Sequence, residues 1–119
     1  NDLEVLSKTG QLPTAKISIR YKDKDHQSEA RGDGAVDAIF NAIEKLINSE
    51  TKLQLYSVNA VTEGTDSQGE VTVRLEKDGR IINGQGADTD ILLASAKAYV
   101  NALTLMRNPG RLHPQLGGV

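Results

Sequence analysis

The amino-acid sequence predicts an α+β fold that contains a β-β-β-α unit twice, the copies related by an approximate two-fold axis and their sheets packed with two helices. Three observations lead to this prediction. In each half of the chain, apolar residues recur first at every second position and then at every third or fourth. A Gly-x-Gly-Ala sequence stands before each helical pattern. Residues 17–20 (Ile-Ser-Ile-Arg) are similar to residues 71–74 (Val-Thr-Val-Arg).

The first half contains three short strand patterns and one helical pattern. Residues 3–7 and 15–21 alternate between apolar and polar side chains, and residues 26–31 return after a polar turn at 22–25. Apolar side chains then recur at spacings of three and four, which predicts an amphipathic helix over residues 35–48.

The second half repeats this order. Strands are predicted over residues 53–62, 70–76 and 80–83, followed by a helix over residues 88–105. Asp78-Gly79 is typical of a tight hairpin turn, because both residues tolerate a positive φ.

The first strand of the second half carries an aromatic residue of uncertain role. Strict alternation predicts that Leu53 and Leu55 share one face, whereas Tyr56 and Val58 lie on the other. Tyr56 is therefore either a core residue or part of the wall of a pocket.

The repeat aligns at an offset of 52 residues, which matches Gly32-Asp33-Gly34-Ala35 with Gly84-Gln85-Gly86-Ala87. At this offset both glycine pairs lie where a strand ends and a helix begins. A three-stranded sheet with one helix leaves much of a sheet face uncovered. We therefore expect a single domain over residues 1–106, built from halves at about 1–50 and 51–106 and followed by a tail at 107–119.

The composition excludes several classes of function. Fourteen basic and sixteen acidic residues give a formal net charge of −2, which offers no basic face for nucleic acid. The absence of cysteine excludes disulfides, zinc–thiolate sites and thiol chemistry. No apolar run is long enough to span a membrane. We expect a cytoplasmic protein without nucleic-acid or membrane partners, and the start at Asn1 suggests a piece of a longer protein.

The two glycine motifs allow two interpretations. Glycine can simply shape the turn from strand to helix. Alternatively, backbone N–H groups at a helix N-terminus can bind an anion, such as the carboxylate of an amino acid. The motifs lack the third glycine of a dinucleotide site and the Gly-Lys-Ser/Thr of a P-loop, so a nucleotide is not expected.

Acidic residues follow each glycine pair, and they also have two interpretations. Asp33 and Asp37 in the first half and Asp88 and Asp90 in the second suit helix capping. A carboxylate beside a carboxylate-binding turn would equally suit the ammonium group of a zwitterion.

Few residues suit catalysis. His26 and His113 are far apart in the sequence, and no His, Asp or Glu cluster has the spacing of metal ligands. No serine stands in a Gly-x-Ser-x-Gly motif. We expect no catalytic residue and no metal site in this chain, and a small stand-alone enzyme is the least favoured alternative.

Taken together, several segments between residues 3 and 105 resemble the C-terminal regulatory domain of 2-isopropylmalate synthase and (R)-citramalate synthase. Ala35 departs from the family pattern, which commonly has proline there, but alanine is also a good helix former. The segments are residues 32–38 (GDGAVDA), 56–58 (YSV), 64–66 (GTD), 84–91 (GQGADTDI) and 94–99 (ASAKAY).

The resemblance implies a division of labour within a longer enzyme. A catalytic TIM barrel of the same polypeptide would condense acetyl-CoA with a 2-keto acid on a divalent metal, so neither cofactor is expected in this domain. The domain itself would form a homodimer and bind a small effector at the dimer interface for feedback inhibition. Leucine is the favoured effector because that branch of the family is the more widespread. Isoleucine, as in citramalate synthase, and a purely structural dimerisation domain are the alternatives.

The resemblance also implies which residues contact the effector. They fall on the first glycine turn and its helix, on the first strand of the second half, and on the second glycine turn. They are Asp33, Gly34, Val36 and Asp37; Leu53, Tyr56 and Ala60; and Gly86, Ala87, Asp88, Thr89 and Asp90.

Overall fold

The computed structural model of the chain describes residues 2–6, 10–21, 23–61 and 68–107. The chain divides into two compact units, Asn1–Glu50 and Thr51–Val119. Each unit is an antiparallel three-stranded sheet followed by a helix. The predicted α+β fold with two β-β-β-α units is therefore confirmed.

Unit 1 contains strands β1 (Asp2–Leu6), β2 (Thr14–Tyr21) and β3 (Lys24–Arg31) and helix α1 (Ala35–Ile47). The strands lie in the order β1-β2-β3, and α1 packs on β2 and β3. Because apolar residues recur along one side of α1, that side forms the core with alternate residues of β2. The buried residues are Ala15, Ile17, Ala38, Ile39, Phe40, Ala42 and Ile43.

Unit 2 contains strands β4 (Lys52–Val61), β5 (Gly69–Lys77) and β6 (Arg80–Asp88) and helix α2 (Ile91–Arg107). The strands lie in the order β4-β5-β6, and α2 packs on β5 and β6. The predicted Asp78-Gly79 turn is confirmed, since both residues have a positive φ. The buried residues are Val71, Val73, Leu75, Ala94, Ser95, Ala98, Tyr99, Ala102 and Leu103.

From β2 to the helix, equivalent positions of the two units are 56 residues apart, so the predicted offset of 52 is wrong. The first hydrogen bond of α1 joins the Ala38 N–H to the Gly34 carbonyl, and that of α2 joins the Ala94 N–H to the Asp90 carbonyl, both at 2.9 Å. The two offsets differ by four residues, which is close to one turn of α-helix. Alanine and isoleucine positions along the helices therefore match almost as well in the wrong register.

The second glycine pair lies inside a strand, not at a helix start. β6 continues to Asp88 beyond the predicted end at residue 83, and both Gly84 and Gly86 belong to it. A Cβ atom on Gly86 would lie 2.5 Å from the Ala94 carbonyl oxygen. These glycines therefore allow the backbone of α2 to approach β6 closely, which is a different use of glycine from a turn.

The helix boundaries also differ from the prediction. α1 matches it closely, since Asn48 ends the helix with a left-handed φ of 50°. α2 begins at Ile91 instead of residue 88, because the preceding residues are the end of β6 and its cap. Arg107, which the sequence predicts to begin the tail, is the last residue of α2.

A register shift in β4 corrects the predicted faces of that strand. Leu53 pairs with Leu75 and Tyr56 pairs with Val73, with a shift between Leu53 and Leu55. Because an inserted residue inverts the alternation, Leu53 lies on the same side as Tyr56, and Leu55 lies opposite Arg74. The prediction that placed Leu53 with Leu55 and away from Tyr56 is wrong.

Candidate functional site

The start of α1 carries four of the predicted site residues, namely Asp33, Gly34, Val36 and Asp37. The Asp33 N–H donates to Asp37 Oδ2 over 2.8 Å, so the Asp37 carboxylate reaches back from the first turn to cap the helix. Gly34 is the N-cap residue and has no side chain with which to cap. The carboxylate of Asp33 is exposed and makes no hydrogen bond with any described residue.

The two glycines of this turn have different roles. A Cβ atom on Gly32 would lie 2.7 Å from the backbone carbonyl carbon of Asp37, so this glycine is required by the close approach of α1. A Cβ atom on Gly34 would meet nothing within 4 Å, and its φ of −141° is open to any residue. Space is therefore present beside Gly34, at the helix end where backbone N–H groups favour an anion.

The corner between β6 and α2 carries five further predicted residues, Gly86 to Asp90. Asp88 accepts hydrogen bonds from the Asp90 N–H at 2.9 Å and from Lys97 Nζ at 2.8 Å. The backbone hydrogen bond from Asp90, followed by the one from Lys97, lowers the pKa of the Asp88 carboxyl. Thr89 is exposed beside it, with its hydroxyl 3.4 Å from Asp88 Oδ1.

Asp90 is the N-cap of α2. Its Oδ1 atom accepts from the Leu92 N–H at 2.9 Å, so both carboxylates of this corner serve the local backbone. The predicted position of Gly86 and Ala87 at a helix start is wrong, because both residues belong to β6. Their contact with a ligand stays a prediction.

β4 supplies an apolar strip beside α2. Leu53 and Val58 are 49% and 48% exposed, although their partners across the sheet, Leu75 and Val71, are fully buried. α2 lies over β5 and β6, so the β4 side of the same face is left partly open within unit 2. Ala60, also predicted here, lies on β4 opposite Glu70.

Tyr56 is the half-buried residue in the middle of this strip. Its hydroxyl lies 2.8 Å from Ser95 Oγ on α2, and Ser95 is fully buried. Tyr56 is therefore not a fully buried core residue, since α2 holds its hydroxyl end and the neighbouring side chains are exposed. A role in the wall of a pocket stays a prediction.

Two residues of this region were not identified from the sequence. Ser95 is a buried hydroxyl on the apolar side of α2, and Lys97 forms the ion pair with Asp88. At the offset of 56 residues Ser95 aligns with Ile39, and this polar residue at a core position is the signal that could have identified it.

Other candidate features are more limited. Within residues 2–6, 10–21, 23–61 and 68–107, no group of three or more His, Cys, Asp or Glu side chains could hold a metal ion. His26 is exposed on β3, whereas His113 and the 64–66 segment lie outside the described residues. Neither helix of the described chain has the length and apolar character needed to cross a membrane.

Comparison with known proteins identifies relatives over almost the whole chain. It is 57% identical over 118 residues to a 2-isopropylmalate synthase of Methylococcus capsulatus, covering 98% of this chain and 23% of that protein. It is 59% identical over 111 residues to a 2-isopropylmalate synthase of Nitrosospira multiformis, covering 92% of this chain and 22% of that protein. The chain thus spans less than a quarter of the length of these relatives.

A family model gives the domain to which the matched part corresponds. The model described as the LeuA allosteric (dimerisation) domain matches residues 1–106, which include both β-β-β-α units up to the last turn of α2. The chain belongs to the LeuA allosteric (dimerisation) domain family.

Proposed function

We propose that this chain is the regulatory domain of a 2-isopropylmalate synthase, and that it forms a homodimer that binds leucine for feedback inhibition. The observation that carries the proposal is the family match over residues 1–106 together with the relatives' common name. Condensation of acetyl-CoA with a 2-keto acid, and the divalent metal it uses, belong to a catalytic domain elsewhere in the polypeptide. The domain itself transfers no acyl group, and we expect it in the cytoplasm.

The charges at the start of α1 suit a small zwitterion. Asp37, Asp88 and Asp90 are occupied in capping or in an ion pair. Asp33 is exposed beside the open space at Gly34, so its carboxylate is the best candidate to face the ammonium group. The backbone N–H groups of the first turn of α1 are suited to the ligand carboxylate.

The apolar strip on β4 suits a branched aliphatic side chain. Leu53 and Val58 are about half exposed and flank Tyr56, so a ligand could remove apolar surface from water there. Burial of one such side chain contributes roughly 1.5–3 kcal/mol. Regulation further requires that leucine bind one arrangement of the dimer more tightly than another, since equal affinities shift no equilibrium.

Calorimetric titration of the 119-residue chain with leucine, isoleucine and valine tests this function. We expect saturable binding with leucine the tightest ligand, and weaker binding by the Asp33→Asn variant, which removes the charge and keeps the shape. Sedimentation at the same concentrations measures the dimer. Binding of none of the three amino acids by a dimeric, folded chain would contradict the proposal, and tighter binding of isoleucine would favour a citramalate synthase.

A purely structural dimerisation domain is the second candidate. It is favoured by the use of Asp37, Asp88 and Asp90 as caps, which needs no ligand. In that case Asp33→Ala and Tyr56→Ala would change stability or dimerisation without changing any response to leucine.

A further inference from the structure

A pair of hydroxyl groups links the open strip of β4 to the first turns of α2. Tyr56 OH lies 2.8 Å from Ser95 Oγ, and Ser95 Oγ donates to the Ile91 carbonyl over 2.8 Å. Ser95 is fully buried, whereas Tyr56 is half-buried between the exposed side chains of Leu53 and Val58.

The direction of these two hydrogen bonds follows from the chemistry of the groups. The Ile91 carbonyl can only accept, so the single hydroxyl hydrogen of Ser95 is used there. Ser95 must then accept from Tyr56, and the Tyr56 hydroxyl is the donor. This hydrogen bond holds the hydroxyl end of the Tyr56 side chain against α2, whereas a phenylalanine at the same position would have no hydrogen bond to hold it.

Unit 1 shows that the fold does not need this pair. Ile39 stands at the position of Ser95 and is also fully buried. Leu3 stands at the position of Tyr56, because Leu3 pairs with Ile17 and Tyr56 pairs with Val73. Ile17 and Val73 are equivalent positions of the two units, 56 residues apart. Two apolar residues therefore occupy in unit 1 the places that two hydroxyl-bearing residues occupy in unit 2.

Hydroxyl-bearing residues at these two positions are expected to lower the stability of unit 2 relative to apolar residues, so packing alone does not explain them. A buried hydroxyl must keep its hydrogen bonds, and it contributes less to stability than the apolar side chain that could fill the same place. Leu53 and Val58 beside Tyr56 are exposed, so the position of the Tyr56 ring affects the binding of any molecule to this strip. Ser95 connects the same ring to Ile91, the first residue of α2.

We propose that Ser95 is a positioning residue for the effector site: it fixes the ring of Tyr56 and thereby sets the preference between branched side chains. The proposal rests on the proposed leucine-binding function. The same contacts would transmit ligand binding to α2. A ligand that moves Tyr56 would alter its hydrogen bond with Ser95, and Ser95 is in turn bonded to Ile91, the first residue of α2.

A double-mutant cycle tests the proposal with Ser95→Ala, Tyr56→Phe and the double variant of the 119-residue chain. Titration with leucine and with isoleucine gives the affinity and the ratio between the two isomers. Each single variant is expected to weaken leucine binding about 3- to 10-fold, the equivalent of one hydrogen bond, and to bring the two affinities closer together. The double variant is expected to bind no more weakly than either single variant, because both remove the same interaction.

The control is Thr104→Val. Thr104 is an exposed residue of the same helix whose hydroxyl bonds the Val100 carbonyl four residues earlier, as Ser95 bonds Ile91. Its removal is expected to leave the affinities and their ratio unchanged. Thermal unfolding of every variant separates loss of binding from loss of fold, and Ile39 indicates that an apolar residue is accepted at the Ser95 position.

A second measurement reports on the pair without ligand. The chain has three tyrosines, so NMR of isotope-labelled tyrosine resolves Tyr56 in the free protein. Ser95→Ala is expected to shift the Tyr56 ring signals because the phenol loses its hydrogen-bond acceptor, whereas Thr104→Val leaves them in place. Unchanged Tyr56 signals, additive losses in the cycle, or an unchanged leucine-to-isoleucine ratio would overturn the proposal. Failure of the unmodified chain to bind either amino acid would instead overturn the proposed function.

Discussion

In both units the helix is attached to the outer edge of the last strand by two polar side chains at equivalent positions. The donors and acceptors differ between the units, but the strand residues that they reach are again 56 positions apart. Such bonds occupy backbone groups that an edge strand would otherwise expose. The bonds are Asn41 to Arg31 O (2.8 Å) and Lys45 to Glu29 O (2.7 Å) in unit 1, and Lys97 to Ala87 O (3.4 Å) and Gln85 N to Asn101 Oδ1 (2.9 Å) in unit 2.

The helices differ in length, and this changes the core at the hairpin end of each sheet. α1 has 13 residues and α2 has 17. Leu75 is fully buried, whereas the equivalent Ile19 is only half-buried. Arg80 donates to the Met106 carbonyl over 2.8 Å and so holds the last turn of α2 on β6.

The units also differ at the positions where unit 2 has glycines or hydroxyls. Gly84 and Gly86 correspond to Ser28 and Ala30, and Ser95 corresponds to Ile39. The hydrogen-bonding frame is thus retained while the residues between sheet and helix have changed. The duplicated frame therefore specifies the fold, and the departures from it indicate where the two units have separate requirements.

The largest expected effect comes from making β6 resemble β3 with Gly86→Ala. The new Cβ atom would lie 2.5 Å from the Ala94 carbonyl oxygen and 2.6 Å from the Ala98 nitrogen, so strand and helix must separate. We expect a loss of about 3 kcal/mol in the free energy of unfolding, measured by urea denaturation. Gly34→Ser, where nothing lies within 4 Å, is the control and should cause no loss. A tolerated Gly86→Ala would mean that the two units have the same spacing between strand and helix.

An intermediate effect is expected in unit 1 from Ser28→Ala. Ser28 Oγ is buried and has no hydrogen-bond partner among the described residues. Its removal should raise the free energy of unfolding by about 1 kcal/mol, visible as a higher urea midpoint with an unchanged slope. Ser28→Gly, which copies Gly84 of unit 2, should be about 0.5–1 kcal/mol less stable than Ser28→Ala because glycine weakens a strand. A destabilised alanine variant would show that the hydroxyl has a partner.

The smallest effect on stability is expected at Asp88. Unit 1 has no counterpart of this carboxylate, because Gly32 occupies the equivalent position. The pKa of Asp88 is lowered in the folded chain from its ordinary value of 3.8, by hydrogen bonds from Asp90 and Lys97. The stability contributed by the carboxylate is therefore complete above pH 3.8 and is lost as the pH falls through the lower folded pKa.

Lys97→Met tests this pH dependence. The difference in unfolding free energy between the unmodified chain and the variant should be constant at neutral pH and shrink below pH 3.8. Lys45→Met is the control, because Lys45 donates to a backbone carbonyl that does not titrate in this range. A Lys97→Met difference that persists unchanged at low pH would mean that Lys97 acts through packing alone.

The local features of the fold could be predicted from the sequence. The spacing of apolar residues changes from every second position to every third or fourth, and this change identified both helices. Asp78-Gly79 identified the hairpin. The capping by Asp37 and Asp90 followed from residue type and position. These features depend on residues within one turn or one strand, so the information that specifies them is contiguous in the chain.

The register of the repeat and the faces of β4 could not be predicted. The sequence Gly-x-Gly does not distinguish a glycine that forms a turn, as before α1, from one that allows a helix to approach a strand, as in β6. A shift of four residues returns a helix to nearly the same face, so the helical pattern does not correct the error. The irregularity beside Leu55 leaves no composition signal, yet it inverts the side on which Leu53 lies.

The α+β class, the two β-β-β-α units, the caps and the family resemblance could thus be predicted from the sequence alone, because each follows from short-range pattern. Three-dimensional packing was needed to show that Gly84 and Gly86 face α2, that Leu53 and Tyr56 share a side, and that Ser95 holds Tyr56. These relations join residues up to 39 positions apart, such as Tyr56 and Ser95. Packing brings such residues together, and no local propensity encodes which pair will meet.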